Sequence, residues 1–152
     1  MLSSISSKAR KFLTAHDVAV LSTVSRSGQV QGAAVYYKLG KEDQLHVLTK
    51  SDSTKAHNMI AHPQVAMTIY DPIQIQTVQL EGRAHIEGDL ETKRQLFDHF
   101  VKPRTYDGEK RMPPVSKLSA GGYIAFRIEP TKVKYSDYKD DAALIPSHEQ
   151  RH

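Results

Sequence analysis

The segment Thr77-Val-Gln-Leu-Glu-Gly-Arg-Ala-His-Ile86 alternates without a break. Val78, Leu80, Gly82, Ala84 and Ile86 fall on one side; Thr77, Gln79, Glu81, Arg83 and His85 fall on the other. A period of two is that of a strand with one buried and one wet face. Upstream, Val65–Tyr70 reads as a strand that Asp71-Pro72 ends. Before it, Val18–Val24, Val30–Lys38 and Leu45–Thr49 form three strands, separated by turns at Arg26-Ser-Gly28 and Gly40–Asp43. Turns this short join antiparallel neighbours, so these three form a meander. Downstream, Tyr123–Ile128 and Lys132–Tyr135 read as a last strand pair, interrupted at Glu129-Pro130. Helical periodicity covers Ser4–Ala15, Lys55–Ala61 (stopped by Pro63) and Leu90–Val101 (capped by Asp89). Six or seven strands with three helices predict a mainly β protein, a small antiparallel barrel with flanking helices.

The chain of 152 residues suits one domain, expected over 1–138, with a polar tail over 139–152 that frays. It contains no cysteine, which excludes disulfides, thiolate metal sites and a thiol nucleophile. A cysteine-free chain also fits a cytoplasmic address. No apolar run approaches the roughly 18 residues of a membrane-spanning helix, and Met1–Lys11 lacks the apolar stretch of a secretory signal. The formal charge of +4 calls for an anionic partner.

One segment answers that charge locally. Leu48-Thr-Lys-Ser-Asp-Ser-Thr-Lys55 places four hydroxyls and two lysines where a helix begins. Free N–H groups and the positive end of the helix dipole favour an anion there, and Lys55 adds a point charge. A plain N-cap would use the same Ser51 or Ser53, and the local sequence leaves both readings open. Tyr36 and Tyr37 point to opposite faces of one strand, so one can line a pocket while the other packs. The eight histidines show no metal-ligand spacing: His57 and His62 lie five apart, and the others are scattered or in the tail. No metal ligand or catalytic residue is assigned. Lys102–Lys117, with five basic residues against Asp107 and Glu109, reads as a solvated connector or as a nucleic-acid groove.

Taken in order, Val18-Ala-Val-Leu-Ser-Thr-Val24 with Gly28, Val35-Tyr-Tyr-Lys38, Leu48-Thr49, Ser53-Thr-Lys-Ala-His-Asn58, His62-Pro-Gln-Val65 and Thr77–Ala84 resemble the pyridoxamine 5'-phosphate oxidase-like family of flavin-binding split barrels, in its stress-protein-like branch. The likeness covers residues 12 to 86 well and the last strands more loosely. It implies a six-stranded Greek-key split barrel acting as a homodimer, with FMN in a cleft between subunits. The cofactor-binding positions it implies are Val35, Tyr36, Tyr37, Lys38, Leu48, Thr49, Ser53, Thr54 and Lys55, with Thr77 at the ring or ribityl chain. The authentic oxidases carry Arg at the positions of Ala33 and Thr54 and Gln at that of Thr77. They end in an Arg-Leu-His segment where this chain has Lys132-Val-Lys-Tyr135. The expected activity is therefore an FMN-dependent oxidation or reduction of an unidentified small molecule other than vitamin B6. Two alternatives keep the barrel: a carrier of coenzyme F420 or of haem, the latter through His148 or His152, and a nucleic-acid-binding module.

Overall fold

The computed structural model describes residues 5–106, 108–111 and 122–139. The first helix, α1 (Ser7–Ala15), starts where the Ser6 hydroxyl accepts from the Ala9 N–H at 3.1 Å. It buries Ala9, Phe12 and Leu13, spaced three and one apart on a single helical stripe. Then follow β1 (Val18–Val24), β2 (Val30–Leu39), β3 (Leu45–Lys50), α2 (Thr54–Ala61), β4 (Gln64–Asp71), β5 (Gln76–Ile86) and α3 (Leu90–Phe100). A small hairpin, β6 (Arg104–Tyr106) and β7 (Glu109–Arg111), precedes the long β8 (Tyr123–Asp137).

Six strands close a barrel in the order β1-β2-β3-β8-β5-β4, every pair antiparallel. The expected mainly β, six-stranded antiparallel barrel is what forms. The meander β1-β2-β3 is followed by a crossover in which α2 carries the chain past the end of the barrel, so that β4 returns beside β1. Inward residues of alternate positions fill the interior, among them Leu21, Tyr37, Val47, Met67, Ile69, Val78 and Ile128. Full burial of such side chains contributes about 1.5–3 kcal/mol each before entropy is counted. Among the described residues no helix is long and apolar enough to cross a membrane.

Two expectations need correction. The last strand is not a pair broken at Glu129-Pro130: β8 runs continuously through Pro130, which sits at a register shift opposite Glu81 and Gly82. A proline lacks the N–H that the ladder needs, and a bulge is where that lack is tolerated. The connector after α3 is also not wholly irregular, since β6 and β7 pair within it. The expected frayed tail, with His148 and His152, lies outside the described residues.

The turn between β2 and β3 carries two successive left-handed residues, Glu42 (φ 58°) and Asp43 (φ 59°). Such turns prefer Asn or Gly, so Glu42 is held there against its backbone preference. The restraint comes from Asp43, whose carboxylate takes Arg10 Nε at 2.9 Å and Arg10 Nη2 at 2.8 Å, and accepts from the Ile5 N–H at 3.3 Å. Glu42→Gly is expected to stabilise the fold by about 0.5–1 kcal/mol, read from the urea midpoint. A loss of stability would show that Glu42 makes a contact worth more than the strain.

Two carboxyl groups pin the helices and turns, and both are held below the ordinary range. Asp43 is lowered chiefly by its hydrogen bond from Arg10. Asp71 is lowered by the Gln74 N–H and then by His16, whose Nε2 lies 2.9 Å from Asp71 Oδ2. A carboxyl depressed on folding contributes stability above its unfolded value, near ~3.9, and loses it as pH falls through the folded value. Stability should therefore decline below about pH 4. Asp43→Asn should flatten that acid limb while lowering stability at neutral pH. Urea midpoints across pH 2–7 check it, and an unaltered acid limb in the variant would contradict it.

Candidate functional site

α2 begins with Ser53 as its N-cap: the Ser53 hydroxyl accepts from the Ala56 N–H at 3.2 Å and donates to the Lys50 carbonyl at 2.8 Å. A hydroxyl has one proton, so the 3.1 Å contact between Thr49 Oγ1 and Ser53 Oγ is donated by Thr49. The cap satisfies Ala56 and leaves the N–H groups of Thr54 and Lys55, in the first turn, free to meet a ligand. The cap is observed, and it is compatible with the anion reading because it leaves those two N–H groups unused.

Beside this helix start lies a cavity of about 330 Å³. Its polar lining is Thr49, Lys50, Ser53 and Lys55, together with Tyr36; its apolar lining is Val18, Ala34, Val35, Leu48 and Phe100. Phe100 is delivered by α3, which Asp89 caps through the Thr92 N–H at 2.9 Å. Leu96 and Phe100 of that helix pack on Ala125, with Tyr36, Leu48 and Val101 alongside. The cavity therefore combines a cationic, hydroxyl-bearing lining with an apolar and aromatic one.

Lys55 sets the electrostatics. Burial alone pushes its ammonium below the usual lysine range, and no carboxylate among the described residues is close enough to pair with it. A partly desolvated cation without a counter-ion is costly unless an anion arrives.

The residues expected at a cofactor divide. Val35, Tyr36, Leu48, Thr49, Ser53 and Lys55 line the cavity. Tyr37 does not: it is buried in the barrel, its hydroxyl donating to the Leu13 carbonyl at 2.8 Å, and burial pushes its phenol far up. Lys38 lines a different cavity, beside the N-terminal half of α3. Thr54 is the exposed first residue of α2. Thr77 lies on the outward side of β5, paired with Tyr70 and Ser136.

One residue near the site was not expected. The Arg104 guanidinium stacks 4.0 Å above the Tyr36 ring, and its Nε donates to Asp17 Oδ2 at 2.8 Å. Its Nη1 is buried without a hydrogen-bond partner. The cation–π contact fixes the aromatic wall of the cavity. Burial pushes the nearby His99 ring below its usual range, and Lys38, Arg104 and Lys102 push it further the same way, so positive charge also gathers at the end of α3. The only sequence signal for Arg104 was the basic connector that contains it.

The family model described as pyridoxamine 5'-phosphate oxidase matches residues 5–137. No curated protein sequence matches the chain significantly. Solved structures share the fold at low identity. A pyridoxamine 5'-phosphate oxidase-related, FMN-binding protein from Nostoc punctiforme is 15% identical, with a TM-score of 0.65, over 91% of this chain and 88% of its own. A protein described as an F420 reductase is 24% identical, with a TM-score of 0.61, over 82% and 94%. HutZ, described as the haem storage protein from Vibrio cholerae, is 17% identical, with a TM-score of 0.64, over 89% and 95%.

Proposed function

Because the chain belongs to the pyridoxamine 5'-phosphate oxidase family, we propose that it binds FMN and acts as a flavin-dependent oxidoreductase on a small molecule other than vitamin B6. The observation that carries this is Lys55, a partly desolvated cation with no carboxylate partner among the described residues, lining one cavity with Thr49, Ser53 and the aromatic rings of Tyr36 and Phe100. That mixture of groups fits a ligand that carries both a phosphate and a planar apolar ring. Lys55, the N–H groups of Thr54 and Lys55, and the hydroxyls of Ser53 and Thr49 would hold the phosphate. Tyr36, Leu48 and Phe100 would border the ring and exclude water from it. FMN, when bound, supplies the electron transfer. Lys132-Val-Lys-Tyr135, in place of the oxidases' Arg-Leu-His, is the reason for leaving vitamin B6 aside.

We further propose a homodimer with the cofactor at the subunit interface. Among the described residues the outward side of β1, β4 and the first half of β2 carries no charge: Val20 sits between Ala34 and Thr68, and Ser22 between Gly32 and Ala66. Val18, Val20 and Tyr70 are 43%, 47% and 56% exposed there. Contiguous apolar surface of this kind marks an interaction site. Val18, Ala34 and Tyr36 belong to both this face and the cavity wall, so a second copy packed on it would close the cavity. Thr77, beside Tyr70 on that face, could then reach the partner's cofactor.

The test is the absorption spectrum and FMN fluorescence of purified protein during titration. FMN uptake at one per protomer supports the reading; a colourless protein that takes up none sinks it. Coenzyme F420 and haem are the parallel titrations. Among the described residues no histidine lines the cavity, so a haem bound there would need an axial imidazole from outside them.

A further inference from the structure

A second cavity of about 380 Å³ is lined by the N-terminal half of α3 and by the β2–β3 turn. Its polar lining is Lys38, Lys41, Gln44, His46, Glu87 and Arg127, with Glu42 at the rim. The facing residues of α3 are Thr92, Gln95 and Leu96, none of them charged. Three permanent cations thus meet two carboxylates, and one of those is already engaged. Glu87 takes His46 Nε2 at 3.4 Å, the Asp89 N–H at 3.2 Å and Arg127 Nε at 3.9 Å.

His46 is the unusual member. It is only 8% exposed, yet its sole described partner stands at the long distance of 3.4 Å. Its ring occupies space that only a glycine at position 40 leaves open: a Cβ there would lie 2.9 Å from His46 Nδ1 and Cε1. Arg127 Nη1 donates to Gln44 Oε1 at 2.6 Å, which fixes the guanidinium at the cavity wall. Between Lys41 and Gln44, which both line the cavity, lie the two left-handed residues Glu42 and Asp43. A turn that served only to join two strands would need neither a buried imidazole nor a polar hollow beneath it.

We propose that this cavity is a second ligand site, for a compact dianion carrying a phosphate or paired carboxylates, held by Lys41, Lys38 and Arg127 with His46 at its floor. An apolar ligand would strand the lining donors, and a cation would meet three like charges. Burial favours the neutral imidazole, as do Lys38 from β2 and Arg127 from β8, while Glu87 opposes them. A bound dianion would add to Glu87, so His46 should take up a proton as the ligand enters. The site goes beyond the proposed flavin function and does not depend on it.

The test follows the His46 ring resonances of the full chain by NMR at constant ionic strength, during titration with inorganic phosphate and, separately, malonate. A saturable shift toward the protonated ring is expected, weakened about tenfold by Lys41→Ala and untouched by Lys55→Ala. His46→Gln should abolish the proton uptake measured calorimetrically in buffers of different ionisation enthalpy. A response to phosphate alone assigns phosphate esters; to malonate alone, dicarboxylates. A shift that fails to saturate, or that ignores Lys41→Ala, overturns the site and leaves only non-specific ion binding. A shift lost in Lys55→Ala would place the ion in the first cavity and overturn it equally. Because the readout is local to His46, a protein that binds no FMN would still give a clear result.

Discussion

Lys55→Ala is expected to weaken FMN binding by about 10- to 100-fold while leaving the fold as stable as before, or slightly more so. A hydrogen bond between charged groups contributes roughly 1.5–3 kcal/mol, which is one to two decades in affinity. The loss should be large here because the Ala33 and Thr54 side chains bring no charge to the site, and among the described residues no arginine lines the cavity. Stability should not suffer, because the variant removes a partly buried cation that has no described carboxylate partner. The two readouts therefore move in different directions, which separates a ligand residue from a merely structural one. The same desolvation predicts a pH effect. Burial lowers the Lys55 ammonium's proton affinity, so in the empty site it should begin to lose its proton below the usual lysine value of ~10.4. FMN affinity should accordingly fall on the alkaline side earlier than an ordinary lysine would allow, and that limb should be absent from Lys55→Ala. Equal FMN affinity in wild type and variant would remove Lys55 from the site and with it the main support for a phosphate ligand.

What the sequence could reveal here depended on how local the cause was. Alternation at Thr77–Ile86 comes from the pleat itself, so that strand reads directly, and its partner Val65–Tyr70 reads almost as well. The helix start at Ser53 is local too, and Thr49, Ser53 and Lys55 meet because four residues separate the first two across a strand end and a cap. Tyr36 and Tyr37 were separable in principle, since adjacent strand residues face opposite ways, but which one faces the cavity follows from the closure of the barrel. The β8 strand was misread because Pro130 is a local stop signal, and only its place opposite Gly82 allows the strand to continue. Arg104 could not be found this way at all. It reaches Asp17 across 87 positions and Tyr36 from a connector without periodicity, and contacts of that range leave no local pattern. The cavity around His46 is hidden for the same reason, since its residues come from β2, β3, α3, β8 and two linking segments.

Gly82→Ala should be the most damaging single-methyl substitution in the barrel. A Cβ at position 82 would lie 2.7 Å from the Glu129 carbonyl oxygen, 3.2 Å from its carbon and 3.0 Å from Ile128 Cγ2. Two of those atoms are backbone, so no rotamer change relieves the clash. The glycine stands where the β5–β8 register shifts: Glu81 pairs with Lys132 and Gly82 with Pro130, leaving Thr131 as the extra residue. Pro130 offers no N–H, and its ring fixes its backbone, so β8 cannot retreat by simple rotation. Displacing β8 there would move Ile128, which is fully buried and pairs with both Leu45 and Ala84. Overpacking against backbone costs about 2–3 kcal/mol, which for a chain of this size lowers Tm by roughly 5–10 °C. Gly82→Val should lower it further. Gly88→Ala is the matched control, because nothing lies within 4 Å of the position its Cβ would take. That variant should stay within about 0.5 kcal/mol of the parent. Gly82→Ala melting beside Gly88→Ala would mean that β8 yields at the bulge. The close approach of the two backbones would then be an incidental feature of the barrel rather than the contact that sets its register.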